Sequence, residues 1–301
     1  MTSDRPTQAM WARRRRHAAV AATVVLCAAL LAVLGAGEVL SQPAHRHVGS
    51  APPDLDATPV DIQCSSGAHI RGWAVPGREG GGVVLLLHGV RADRREMIDR
   101  ARFLKRQGFG ALLIDLPAHG ESDGDRITFG WREADGVRAA LRYLSDRWPK
   151  EQVGVIGVSL GAASLVLSHP TPPPAAVVLE SMYPTIADAV SDRLRIYLGA
   201  AGPTLAPVLL TQLPLRLGIS PAQLRPAVEI ADLHAPLLVA AGSVDRHTTL
   251  DETQRIFDSA NGPKELWIVE NAAHVDLHAR SKPEYEARIG GFLALHLRKP
   301  Q

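Results

Sequence analysis

Val153-Gly154-Val155-Ile156-Gly157-Val158-Ser159-Leu160-Gly161-Ala162-Ala163 is the stretch that decides the fold of this 301-residue chain. It holds the pentapeptide Gly157-Val158-Ser159-Leu160-Gly161, a G-x-S-x-G pattern. An apolar, β-branched run precedes it and small helix formers follow, so the reading is strand, sharp turn, helix. Such a turn strains the backbone of its central residue, and the residues two positions away on either side must be small. Glycine meets that need by removing the Cβ atoms where strand and helix nearly touch. The expected result is a Ser159 hydroxyl above the sheet edge, at the head of a helix. The pentapeptide alone also fits an ordinary turn with a buried serine; the flanking strand and helix, and the partners downstream, favour a nucleophile.

Upstream, 83–87 is a continuous apolar run of the kind buried on both faces of a parallel sheet, and it ends in His88-Gly89-Val90. Residues 97–107 read as a helix closed by Gly108, 110–116 as the next buried strand, and 131–148 as a long helix. Residues 60–64 and 69–75 read as a hairpin around Ser65-Ser66-Gly67-Ala68. The glycine-rich 76–82 has neither a following helix nor a Lys-Ser or Lys-Thr pair, so it reads as a turn and not a phosphate cradle. Strands alternating with helices imply an α/β fold: a mostly parallel central sheet flanked by helices.

Downstream, 175–179 is another apolar strand, ending in Glu180-Ser181. Ser181 has no G-x-S-x-G around it and is a poor rival nucleophile. Residues 185–233 carry scattered prolines and apolar patches, and are expected to form a short helical lid insertion or a plain covering helix pair. Strand 236–241 leads to Gly242-Ser243-Val244-Asp245, and strand 265–269 to Asn271-Ala272-Ala273-His274. Both loops then fall on the edge of the sheet that carries Ser159. Ser159 is a weak nucleophile until a base takes its proton. His274 suits that task, because an imidazole can take up and release a proton under physiological conditions. Asp245 would fix the imidazole tautomer and stabilise the imidazolium. Asp188 and Asp251 are the alternative acids, and His247 and His278 the alternative bases. The backbone amides of Leu160 and Val90 are the expected oxyanion donors, chosen by position, with His88 bracing the loop.

The runs Leu85 to Val90, Leu112 to Ser122 and Gly157 to Gly161, in this order and spacing, resemble the α/β-hydrolase superfamily over roughly residues 59–297. Within it, 115–133 resembles the membrane-associated or secreted serine hydrolases of the Bem46-like group, with Pro117-Ala118 where many superfamily members have Arg-Gly. The resemblance implies cleavage of an ester or thioester, in a small-molecule or lipid-like substrate, through an acyl-enzyme on Ser159, His274 and Asp245. It implies no metal and no organic cofactor. The same machinery serves amide hydrolysis, acyl transfer or cofactor-free peroxidation. A catalytically silent binding protein on this fold is the alternative from another class.

Composition agrees with one globular unit: 46% hydrophobic and 21% charged residues provide for a full core. The net charge is only +2 and much of the basic excess is local, in Arg13 to Arg16, which argues against nucleic-acid binding. Cys27 and Cys64 make no disulfide framework. Residues 18–37 carry no charge, and twenty residues of helix would span roughly 30 Å, the thickness of a bilayer core. With four arginines before this run, residues 1–17 are expected in the cytoplasm, 18–40 as a transmembrane signal anchor, 41–59 as a flexible tether, and 60–298 as an extracytoplasmic hydrolase domain with its lid at about 185–233. A cleaved signal peptide, using the small residues at 32–37, is the competing reading. No feature of the sequence sets an oligomeric state.

Overall fold

The computed structural model describes residues 5–298, so residues 1–4 of the expected basic segment lie outside the described residues. The chain divides into two units between Ser41 and Gln42. The first is a single helix, α1 (Arg5–Ser41), whose stretch Met10–Ser41 has a mean hydropathy of 2.6 and is by length and composition able to cross a membrane, a test that signal sequences pass too.

The second unit is built on one eight-stranded sheet. Its strands are β1 (Thr58–Gln63), β2 (His69–Val75), β3 (Val83–Leu87), β4 (Gly110–Ile114), β5 (Val153–Val158), β6 (Ala176–Glu180), β7 (Leu237–Gly242) and β8 (Lys264–Val269). The spatial order is β8-β7-β6-β5-β3-β4-β2-β1. The six strands β3 to β8 are parallel, while β2 runs antiparallel to both β1 and β4. The hairpin expected at 60–75 is therefore present and lies at one edge of the sheet.

Two-residue alternation along each strand divides the core. Leu85, Leu87, Leu112, Val155 and Val177 point to one face, where α3 (Glu133–Arg147), α4 (Leu160–Val166) and α9 (Leu250–Ser259) cover them. Val84, Leu86, Leu113, Ile156 and Val178 point to the other, under α2 (Ile98–Gln107) and α11 (Lys282–Leu297). Both faces are covered, which is why these strands read as unbroken apolar runs. Gly108 ends α2 at φ +93°, its amide shared between the carbonyls of Leu104 and Lys105.

Between β6 and β7 the chain is helical throughout: α5 (Ile186–Leu198), a 3₁₀ stretch (Gly199–Leu205), α6 (Ala206–Leu210), α7 (Gln212–Leu217) and α8 (Pro226–Glu229), with shorter turns between. Ile186, Leu213, Leu217, Ile219 and Leu224 form a small separate core there, resting on Ala134 and Leu167.

The expected flexible tether at 41–59 is not what the structure contains. Residues 42–57 form a strap fastened along the domain. Ala44–His45 pair in parallel with His119–Gly120, through Ala44 N–H to Ala118 O at 2.8 Å and Arg46 N–H to Gly120 O at 2.9 Å. Glu121 accepts the amides of Val48 and Gly49 at 3.0 and 3.2 Å. Leu55 is fully buried in the core on the α2 side. Proline keeps this segment from forming a regular element, but backbone bonds to the loop after β4, the buried side chains of Ala44, Val48 and Leu55, and ion pairs of Asp54 with Arg102 and Asp56 with Lys105 hold it.

Candidate active site

Ser159 follows β5 directly and caps α4, with φ 48° and ψ −105°. The residue is nearly buried, at 5% exposure, which is less open than the expected presentation above the edge. Its own amide donates to Glu180 O at 2.8 Å, and its carbonyl accepts from Ala163 N at 3.0 Å. A Cβ on Gly157 would lie 2.7 Å from Ala162 N, and one on Gly161 would lie 2.5 Å from Leu87 O. Helix α4 thus turns back against β5 and β3 at distances only glycine permits.

Asp245 and His274 follow β7 and β8, and the structure brings them together. His274 Nδ1 and Asp245 Oδ2 are 2.8 Å apart, with Asp245 buried and His274 partly exposed. The second carboxylate oxygen, Oδ1, accepts the amides of His247 at 2.7 Å and Thr248 at 3.0 Å. Burial pushes the Asp245 carboxyl up, but the bond to His274, the charge of that imidazole and the two amides outweigh it, so the group sits below the usual carboxylate range. An ionised Asp245 accepts only, so the proton of a neutral His274 belongs on Nδ1 and its Nε2 carries the free lone pair.

The alternatives lie elsewhere. Asp188 and Asp251 stand in the first turns of α5 and α9, where an acid suits the helix dipole. His278 is buried between Phe103 and Tyr285 and meets Glu286 at 3.2 Å. His247 is the near neighbour, its ring centroid 5.1 Å from that of His274. Burial and then the His274 charge hold His247 below its ordinary pKa. One ligating atom each of Asp245, His247 and His274 lie within 4.8 Å of one another. Both Asp245 oxygens are already taken up in hydrogen bonds, so the trio fits a hydrogen-bonded His–Asp pair with a flanking histidine better than a metal-ligand set.

At the end of β3, Gly89 N donates to Glu96 Oε2 at 2.6 Å. Burial pushes the Glu96 carboxyl up against that bond. Val90, next in the chain, is about one-third exposed, and Leu160 opens α4 with its side chain buried. His88 is buried, which lowers its pKa to about 4. It accepts from Leu116 N at 3.0 Å through Nε2 and faces Gly89 O at 2.7 Å through Nδ1, so it holds the loop and the strand end together.

Sequence reading left one cluster aside. Arg100, Glu180 and Tyr285 are all buried. Arg100 meets Glu180 at 2.6 Å and Asp276 at 2.8 Å, and the Tyr285 hydroxyl donates to Glu180 at 2.5 Å. Burial, then the charge of Glu180, hold the Tyr285 phenol far above its ordinary pKa. Asp276 caps the short helix α10 (Leu277–Arg280) and stands two residues after His274. Glu180 at the end of an otherwise apolar strand was the one available signal.

A sequence model of the Alpha/beta hydrolase family matches residues 84–288. The chain belongs to that family. It is 31% identical over 222 residues to the uncharacterized protein Rv2307c of Mycobacterium tuberculosis, a match covering 72% of each chain. It is 22% identical over 243 residues to the uncharacterized protein YqkD of Bacillus subtilis, covering 79% of this chain and 80% of that one. Among solved structures, the Pyrococcus furiosus esterase Pf2001 superposes with a TM-score of 0.72 at 23% identity, covering 86% of this chain and 98% of that one. A thermophilic esterase from Thermogutta terrifontis superposes with a TM-score of 0.57 at 18% identity, covering 80% and 100%. At these identities the structural likeness speaks for the fold.

Proposed function

We propose that the chain is a membrane-anchored serine hydrolase that cleaves an ester or thioester through an acyl-enzyme. The observation that carries the reading is the 2.8 Å bond from His274 Nδ1 to a buried Asp245, on the edge of the sheet where Ser159 heads α4. In this reading His274 Nε2 takes the Ser159 proton as Oγ attacks the carbonyl carbon. Asp245 holds the tautomer and stabilises the imidazolium. The amides of Leu160 and Val90 meet the developing oxyanion. His274 then returns the proton to the leaving group, and a water activated by the same nitrogen releases the acid. The structural neighbours from Pyrococcus furiosus and Thermogutta terrifontis are esterases, which agrees with an ester substrate. An active-site fluorophosphonate should label the intact protein at one serine, and the label should vanish in Ser159→Ala. A protein that stays unlabelled while folded would be the catalytically silent alternative.

Residues 18–40 are read as the anchor, supported by the uncharged run and the arginines before it. The helical insertion between β6 and β7 is read as a lid. Protease added to intact spheroplasts should digest the hydrolase unit if it lies outside. Protection until lysis would reverse the orientation, and a mature chain starting near Glu38 would make the helix a signal peptide.

A further inference from the structure

Between Arg195 and Arg216 lie twenty residues without a charge, Ile196 to Leu215. The stretch Ile186–Leu217 that contains them is by length and composition apolar enough to cross a membrane, with a mean hydropathy of 1.3, yet little of it is buried. Tyr197 is 78% exposed and Leu215 82%, and Leu198, Leu205 and Val208 are exposed as well. These side chains do not stand on a loose loop: Leu213, Leu217 and Ile219 fix the other side of the same segment into its own small core.

The segment cannot span a bilayer. Its pieces are the thirteen residues of α5, a 3₁₀ stretch from Gly199 that contains Pro203, and two helices of five and six residues that each carry a proline, all shorter than the roughly twenty helical residues a crossing needs. What remains for such an apolar, uncharged face with arginines at both ends is the plane of the lipid–water interface.

Its place in the fold points the same way. The insertion departs from the C-terminal end of β6, the edge that carries Ser159, Asp245 and His274. Val90, Val244 and Val275, on the loops at that edge, are exposed too. Gln42, the first residue after α1, has its carbonyl 3.4 Å from Arg91 Nη1, on the loop that leaves β3 at this same edge.

We infer that the exposed face of the insertion, centred on Tyr197 and Leu215, docks into the lipid surface of the bilayer that holds the anchor, so that substrate enters the site from the lipid phase. This rests on the anchor reading of residues 18–40 and adds to it the partner of the lid.

The test uses the full chain in lipid nanodiscs. Cys27→Ala removes the one exposed thiol; Cys64 is buried and its pKa is pushed up to about 11, so it does not compete for label. An environment-sensitive fluorophore is placed by Leu215→Cys, or by Lys150→Cys in the exposed turn before β5 at the opposite edge of the sheet. Discs with brominated acyl chains should quench the label at 215 by about twofold or more and leave the label at 150 unchanged. A chain that stays in the disc with its 215 label unquenched overturns the docking alone. A blue-shifted, unquenched label that responds to dilution assigns the face to a second copy of the chain and overturns it as well. A chain that leaves the disc overturns the anchor and, with it, the docking. In parallel, Leu215→Glu should keep turnover of a water-soluble short-chain ester within about twofold and lose on the order of tenfold on an ester embedded in the bilayer. Equal turnover of both esters by variant and wild type counts against the inference.

Discussion

Two serines stand directly after neighbouring strands with the same left-handed φ. Ser159 and Ser181 both have φ 48°. Each donates its amide at 2.8 Å to the next strand, Ser159 to Glu180 O and Ser181 to Ala240 O. What differs is what comes next. After Ser159 a helix folds back over the strand it left, and the flanking positions are Gly157 and Gly161. After Ser181 the chain runs on through Met182-Tyr183-Pro184, and the flanking positions are Leu179 and Tyr183, both buried. A positive φ alone therefore does not demand small neighbours; the returning helix does. The residue before each serine differs too. Val158 precedes the one, while Glu180, tied to Arg100 and Tyr285, precedes the other. One turn offers a hydroxyl at a helix head. The other closes a buried ion cluster, and its hydroxyl is buried with no hydrogen-bond partner.

The sharpest way to break this comparison is to remove each hydroxyl. Ser159→Ala should cost roughly a thousandfold or more in turnover with the fold intact. His274→Ala combined with it should be little slower than either single change, because the two act as one unit. If Ser181→Ala were the inactive variant, the roles of the two turns would be reversed. Asp245→Asn should also lose about three to four orders of magnitude, through the wrong imidazole tautomer, whereas Asp188→Asn and Asp251→Asn should keep near-full rates. A damaging Asp251→Asn in the same assay would move the acid to α9.

The ion cluster behind Ser181 tests the other half. Arg100→Met leaves the buried Glu180 carboxylate without its counter-charge and with only the Tyr285 hydroxyl as donor, which should cost about 3–5 kcal/mol in urea denaturation. Adding Glu180→Gln should recover part of that loss; a double variant as unstable as the sum would deny the pairing. Gly161→Ala should lower stability by about 1–3 kcal/mol, because its Cβ meets the Leu87 carbonyl. A neutral result there would remove the argument from the returning helix. The smallest effect is expected at Ser181→Ala, within about threefold in rate and about 1 kcal/mol in stability, since the hydroxyl makes no bond to lose.

The strands under both turns were readable because each carries an apolar run buried on both faces, Val155-Ile156 in the one and Ala176 to Leu179 in the other. The positions of Asp245 and His274 at successive strand ends were readable for a related reason: strand, loop and polar residue follow in fixed order, and a parallel sheet brings such loops to one edge. The Ser181 turn was not readable. Its amide is bonded to β7, a partner about sixty residues away, and no local pattern announces its φ. Arg100 could not be picked out either, since one arginine among the charges of a helix reads as surface until its partners are known. The strap escaped because its grip lies in backbone amides, a few scattered apolar side chains such as Val48 and Leu55, and ion pairs from Asp54 and Asp56 to α2, none of which leaves a period in the sequence.

That strap bears on where the gene should be cut. A version of the domain made without α1 has an inviting start near residue 60, where the prolines end and the first long strand begins. Starting there would take Leu55 out from beside Trp73 and Phe103 and strip Glu121 of the two amides it accepts. It would also uncover the backbone of His119 and Gly120 as an open edge that can pair with another chain. The product would be expected to aggregate for reasons unrelated to its chemistry. Beginning at Gln42 keeps the plug, the bridge and the carboxylate cap, at the expense of eighteen residues that look dispensable on paper.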